Sequence, residues 1–122
     1  MSNNFRPKFV CAAAVSIAAK ILSKIDEGFS TFTGFKRAHG NAQSGKEWHH
    51  IVEQNQIAKS GFDPRMVHHP DNLIQIEHGA GSWHSRIGAP EIPTNMSLRD
   101  WLTGKPYDVH YEWGIKVMNH TK

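Results

Sequence analysis

The chain has 122 residues, 39% of them hydrophobic and four of them tryptophan, which predicts one globular domain over residues 1–122 and excludes a disordered chain. The only cysteine, Cys11, excludes an internal disulfide, so the fold does not depend on an oxidising compartment. The net charge of +3 is uneven, because residues 1–61 carry eight Lys/Arg against four Asp/Glu and residues 62–122 carry six against seven. A basic half is compatible with a polyanionic partner, although ordinary surface charge explains the same counts.

The first predicted element is an amphipathic accessory helix within residues 1–28. Its apolar residues recur every three or four positions, at Val10, Ala14, Ile17, Ile21 and Ile25. Pro7 suits the first turn of such a helix, and Gly28 suits the position past its end. The periodicity favours a helix that covers the core or contacts a second subunit over a signal peptide, and the segment is too short and interrupted to span a membrane.

Two short strands are predicted in the middle of the chain, over residues 47–52 and 73–77, and we expect them to pair. A short helix precedes them, begun by Ser30 or Thr31 and ended at Gly40. Between the strands, Asp63-Pro64 is typical of a helix start and predicts a brief helix over residues 64–69, followed by the turn Pro70-Asp71-Asn72. In the first strand, alternation places Trp48, His50 and Val52 on one face and His49 and Ile51 on the other.

Three more helices are predicted after the second strand. Ser82 is a suitable cap for a helix that carries His84 and Ile87. Ser97 and Asp100 resemble a capping box and open a helix that ends at Gly104, and Asp108 is predicted to cap the last helix. The domain thus divides into the accessory helix, a central core over residues 46–90 and C-terminal helices over residues 97–119.

Six of the nine histidines fall between positions 49 and 84, on a strand, a turn and a helix. Phosphodiester hydrolysis needs a deprotonated water and stabilisation of the developing negative charge, which an imidazole and a divalent cation can supply. Because neighbours on a strand point to opposite faces, His49 and His50 are not expected to ligate one metal together. One ring on the metal and the other on the water is the simpler division, and His84 can complete the metal site.

These residues resemble the HNH (ββα-metal) nucleases, and most closely the WHH/GHH-type nuclease domains of bacterial polymorphic toxins. The likeness is carried by three runs of the sequence: Trp48 to Gln54, Asn72-Leu73-Ile74, and His84-Ser85-Arg86-Ile87. Its flanks extend more loosely from Phe29 to Val117. The resemblance implies an α+β fold in which a two-stranded hairpin and one helix hold a metal, surrounded by further helices.

The resemblance also implies a role for each matching residue. His50 matches the general base, Asn72 the asparagine that fixes the loop and the base, and His49 and His84 the metal ligands. Arg86 lies two residues beyond the helix histidine and is expected to meet the scissile phosphate or the product. The position four residues after His84 is Gly88, where some family members have another histidine, so a two-histidine site for Zn²⁺, Mg²⁺, Mn²⁺ or Ni²⁺ is expected.

Additional site residues are open to two interpretations each. His78 is a reserve ligand or an exposed turn residue, and Glu53 orients an imidazole or faces solvent. His68, like His69, either helps to hold the loop or touches substrate.

The sequence predicts an endonuclease that cuts DNA with little sequence preference, since no recognition module is visible. RNA cleavage by the same site and a non-catalytic zinc-binding module are the alternatives. The resemblance implies a toxin or effector that acts in the cytoplasm, with secretion or delivery into a target cell and an immunity protein as partner. No membrane partner is expected.

Overall fold

The computed structural model describes residues 12–78, 92–93 and 95–120. Within these ranges six α-helices accompany one two-stranded antiparallel sheet, which confirms the predicted α+β class. The elements in chain order are α1 (Ala12–Ser23), α2 (Phe32–His39), β1 (Lys46–His50), α3 (Gln56–Ser60), α4 (Pro64–Val67), β2 (Leu73–Glu77), α5 (Leu98–Leu102) and α6 (Tyr107–His120). Two 3₁₀ turns, Ile25–Glu27 and Pro70–Asn72, follow α1 and α4.

The predicted helix starts are confirmed where a side chain caps the backbone. Thr31 accepts a hydrogen bond from the amide of Gly34 at 2.9 Å and begins α2. Asp63 accepts from the amide of Arg65 and begins α4, and Ser97 accepts from that of Asp100 and begins α5. These short-range bonds satisfy amides that have no partner inside the helix.

Helices α6, α4 and α3 each differ from the prediction. Asp108 lies inside the first turn of α6, which starts one residue earlier, so its predicted place as the cap is wrong. Helix α4 ends at Val67, two residues short of the prediction. Helix α3 was not predicted, and its first residue follows Asn55, whose side chain makes no capping hydrogen bond. The predicted helix that begins at Ser82 lies outside the described residues.

The two strands pair as predicted, in a register that runs from Lys46 opposite Glu77 to His50 opposite Leu73. Strand β1 ends at His50, however, and not at Val52. The physical reason is that the amide and carbonyl of Val52 bond to the side chain of Asn72 and no longer to the opposite strand.

Two apolar clusters form the core, and α6 contributes to both. The first joins α1 to the segment after β1 and to one face of α6: Ala14, Ile21, Ile51, Val52, Tyr107 and Tyr111. The second joins α5 to the other face of α6: Ile92, Leu98, Leu102, Val109, Trp113 and Val117. Helix α1 therefore covers the core, which was one of its two predicted roles. In the described part of the chain, no helix has the length and apolar character needed to cross a membrane.

Helix α6 touches the segment after β1 at Gly114. A Cβ atom at this position would overlap the carbonyl oxygen of Ile51 and lie 2.7 Å from its Cγ2 atom. We expect Gly114→Ala to lower the free energy of unfolding by about 3 kcal/mol, because backbone must move to admit the methyl group. Urea denaturation measures this, with the exposed Asn119→Ala on the same helix as the control. Equal midpoints for the two variants would contradict the close approach.

Candidate active site at the end of the hairpin

His50 is the last residue of β1, and helix α2 covers the face of the strand on which it lies. The ring of Phe32 packs edge-on against His50, with 4.7 Å between ring centroids. Two residues earlier, Trp48 packs against Phe35 at 5.0 Å and donates a hydrogen bond from Nε1 to the carbonyl of Gly40. This spacing follows strand alternation, and it confirms that Trp48 and His50 share one face.

Asn72, fully buried, ties the segment after β1 to the turn before β2. Its Oδ1 accepts from the amide of Val52 at 2.9 Å, and its Nδ2 donates to the carbonyls of Val52 at 3.1 Å and Val67 at 2.8 Å. Its own carbonyl accepts from the amide of Ile51. The side chain of Asn72 can form four hydrogen bonds, and three of them are thus made in the structure.

His50 also meets a second imidazole. Its Nε2 lies 3.1 Å from Nδ1 of His68, and both side chains are buried. Phe32 stacks on the ring of His68, so that the two histidines and the phenylalanine form one packed group. Burial, followed by the charges of His68 and His49, lowers the pKa of His50 to about 3, and burial also lowers the pKa of His68. Both rings are therefore neutral near pH 7.

The next histidine in the chain, His69, has a different place. It is fully buried, with Nε2 3.0 Å from the carbonyl of Lys24 and Nδ1 accepting from the amide of Asp71. His69 thus anchors the turn before β2 to the end of α1. His68 and His69 were each open to two interpretations, holding the loop or touching substrate. The hydrogen bonds of His69 agree with the first.

Glu53 and His78 lie in different settings. The carboxylate of Glu53 forms a two-pronged ion pair with Arg99 of α5, with N–O distances of 2.8 and 2.6 Å, and its side chain is only 18% exposed. The expectation that Glu53 faces solvent is therefore wrong. The side chain of His78 is 84% exposed and lies 4.0 Å from Glu47, which agrees with the interpretation as an exposed turn residue.

Of the two predicted metal ligands, the structure describes one. His49 is buried on β1, opposite Ile74 in the sheet register. His84 lies outside the described residues, as does Arg86. Over the ranges that are described, no group of three or more His, Cys, Asp or Glu side chains is placed to hold a metal ion. Among the described residues, His49 is thus the one predicted metal ligand.

The sequence did not point to a cation on the aromatic ring that packs against His50. Lys36 of α2 places its Nζ 4.5 Å from the ring centroid of Phe32, the same ring that packs against His50. The signal available in the sequence was the spacing of four residues between Phe32 and Lys36, which puts both on one helix face.

His50 thus lies 3.1 Å from His68 and directly precedes the segment that Asn72 holds. No protein-family model, curated protein or solved structure matches the chain. An assignment therefore depends on the motif residues and on the geometry that brings them together.

Proposed function

We propose that this protein is a metal-dependent endonuclease of the HNH (ββα-metal) type, which hydrolyses phosphodiester bonds in DNA with little sequence preference. One observation carries the proposal: His50 ends the first strand of an antiparallel pair, next to Val52, which the side chain of Asn72 holds by two hydrogen bonds while a third joins Asn72 to Val67. A histidine and an asparagine in this order and proximity are what the resemblance assigns to the base and to the residue that fixes it. Strands β1 and β2 are the two strands that we propose for the ββα-metal core.

The chemistry starts from a neutral imidazole. In the proposed reaction His50 takes a proton from water, the water oxygen forms a new bond to phosphorus, and the bond from phosphorus to the leaving oxygen breaks. The leaving oxygen takes a proton from solvent, and His50 returns its proton to solvent. Since the low pKa of His50 makes it a weak base, stabilisation of the negative charge on the phosphate is needed as well. A divalent cation supplies that stabilisation when bound, and His49 and His84 are the residues proposed to hold it.

Plasmid cleavage with a panel of metals tests the proposal. The protein is stripped with EDTA and supplied with Mg²⁺, Mn²⁺, Zn²⁺ or Ni²⁺, and we expect nicked and linear DNA only in the presence of a divalent ion. Total RNA is the parallel substrate, and cleavage of RNA alone would assign the same site to RNA. If the protein binds metal but cuts neither DNA nor RNA, the result would favour a non-catalytic zinc-binding module and contradict the proposed nuclease activity.

Lys36 is expected to contact a substrate phosphate, because it is a cation on the ring that packs against His50. Lys36→Ala is expected to raise KM several-fold and to reduce the slope of log affinity against log salt by about one, as for the loss of one phosphate contact. The matched control is Lys105→Ala, since Lys105 lies 4.3 Å over the ring of Trp101, in the same kind of contact beside the second core cluster. If the slope of log affinity against log salt is the same for Lys36→Ala and wild type, Lys36 does not contact a DNA phosphate.

The proposal extends to biological context. The resemblance implies a bacterial toxin or effector that acts in the cytoplasm, including that of a target cell after delivery, and that an immunity protein neutralises. Expression in bacteria should then be toxic, and co-expression of a neighbouring gene should relieve the toxicity. Unchanged toxicity with the neighbouring gene would remove the immunity protein from the proposal and leave the nuclease activity in place.

A further inference from the structure

We propose that His68 is a positioning residue of this site, which accepts a hydrogen bond from His50 and holds that ring in the tautomer able to act as a base. The inference deepens the proposed function and rests on it. The motif assigns His68 no role, yet its ring meets that of His50 from 18 residues away in the chain.

The backbone fixes the position of His68 before its side chain is considered. Its amide donates to the carbonyl of Pro64 at 2.8 Å, and its carbonyl accepts from the amide of Phe29 at 3.1 Å. The first bond closes the end of α4, and the second joins that end to the segment before α2. His68 is therefore held from two directions, and the residue as a whole is 4% exposed.

Packing then fixes the ring. The planes of His68 and Phe32 are within 3° of parallel, with 6.2 Å between centroids, and Phe32 meets His50 edge-on. The ring planes of His50 and His68 are inclined at 75°, an arrangement that points Nε2 of the first and Nδ1 of the second towards each other at 3.1 Å. Such a distance between two neutral imidazoles is a hydrogen bond with one donor and one acceptor.

The direction of this hydrogen bond decides whether His50 can be a base. If His68 donates, the lone pair on Nε2 of His50 is occupied and its Nδ1 carries the proton, so neither nitrogen is available to accept one. If His50 donates from Nε2–H, its Nδ1 keeps the lone pair and can take a proton from water. The proposed function requires the second direction, in which Nδ1 of His68 is the acceptor. His68 then has the role of the group that orients the base in other hydrolytic sites.

Two substitutions separate the hydrogen bond from the packing. His68→Phe keeps an aromatic ring against Phe32 and removes the acceptor. His68→Asn loses the ring and retains an oxygen acceptor near the position of Nδ1. Exposed His78→Phe is the control for introducing a phenylalanine. We expect kcat for plasmid cleavage to fall about 10- to 100-fold in His68→Phe with little change in KM, and His68→Asn to recover most of the loss.

A second readout does not depend on activity. In the metal-free, ¹⁵N-labelled full chain, the ring nitrogens of His50 report its tautomer, and we expect Nε2 protonated and Nδ1 unprotonated in wild type. His68→Phe should give a mixture of tautomers, and His68→Asn should keep the wild-type form. This measurement on wild type stands even if a variant does not fold.

The outcomes distinguish the two proposals. A wild-type protein that cuts no nucleic acid contradicts the nuclease function, whereas the tautomer of His50 still tests the hydrogen bond. The positioning role is overturned by a protonated Nδ1 on His50 in wild type, or by a folded His68→Phe with wild-type kcat. Zinc titration gives a further check, because coordination at Nδ1 of His68 would make it a ligand and exclude it as the acceptor.

Discussion

His50→Ala is expected to lower the rate of plasmid cleavage by roughly 10²- to 10⁴-fold, the usual contribution of a general base. Metal binding should remain, because the metal is assigned to His49 and neighbouring strand residues point to opposite faces. Single-turnover cleavage measures the first effect, and calorimetric titration with Zn²⁺ or Ni²⁺ measures the second.

Two controls accompany His50→Ala. His78→Ala removes a histidine that is exposed just after β2, at the end of the sheet opposite to His50, and it should cut like wild type. Urea denaturation of both variants separates lost chemistry from lost fold, because the substitution at His50 also removes packing against Phe32. Wild-type cleavage by a folded His50→Ala would show that the base has been assigned to the wrong residue.

Asn72→Ala is expected to have the largest effect on stability, about 3–5 kcal/mol, and to abolish cleavage with it. The substitution leaves the amide of Val52 and the carbonyls of Val52 and Val67 without their side-chain partner in a fully buried setting. Each buried backbone group deprived of its hydrogen bond costs about 1–3 kcal/mol. Denaturation in urea, followed by circular dichroism, measures the change.

The matched control for Asn72→Ala is Asn55→Ala. Asn55 precedes α3, is exposed and makes no side-chain capping hydrogen bond, so its replacement should cost less than about 0.5 kcal/mol. Asn72→Asp adds a second test, since an aspartate retains the acceptor for the Val52 amide but places negative charge against two carbonyl oxygens. Stability of Asn72→Asp close to wild type at pH 7 would contradict the donor role of the amide.

The features that the sequence predicted correctly are those that depend on interactions between residues a few positions apart. Thr31, Asp63 and Ser97 cap helices through bonds that span two or three positions, and each of these starts is confirmed. Strands β1 and β2 were predicted from alternation and from the turn between Pro70 and Asn72. Helix α3 has no side-chain cap at its start, and the local signal that remains is Gly61, which ends the helix in the left-handed conformation.

The features that sequence reasoning missed depend on contacts between distant residues. The early end of β1 follows from Asn72, twenty residues from Val52. The ion pair of Glu53 requires Arg99, 46 residues away, and neither residue alone indicates it. For the site, the hairpin places His50 and Asn72 together, whereas the contact of His50 with His68 arises from how α2 and α4 pack.

Helix α6 has a consequence for how the protein is made. Helix α1 is synthesised before α6. Its buried residues Ala14 and Ile21, however, pack in one cluster with Tyr107 and Tyr111 of α6. Ile51, the neighbour of His50, belongs to the same cluster and cannot complete its packing until α6 has been synthesised. Domains fold as units during synthesis, so a nascent chain that stops before α6 contains His49, His50 and Asn72 without the packing that organises them. Interrupted translation of this protein should therefore release inactive fragments.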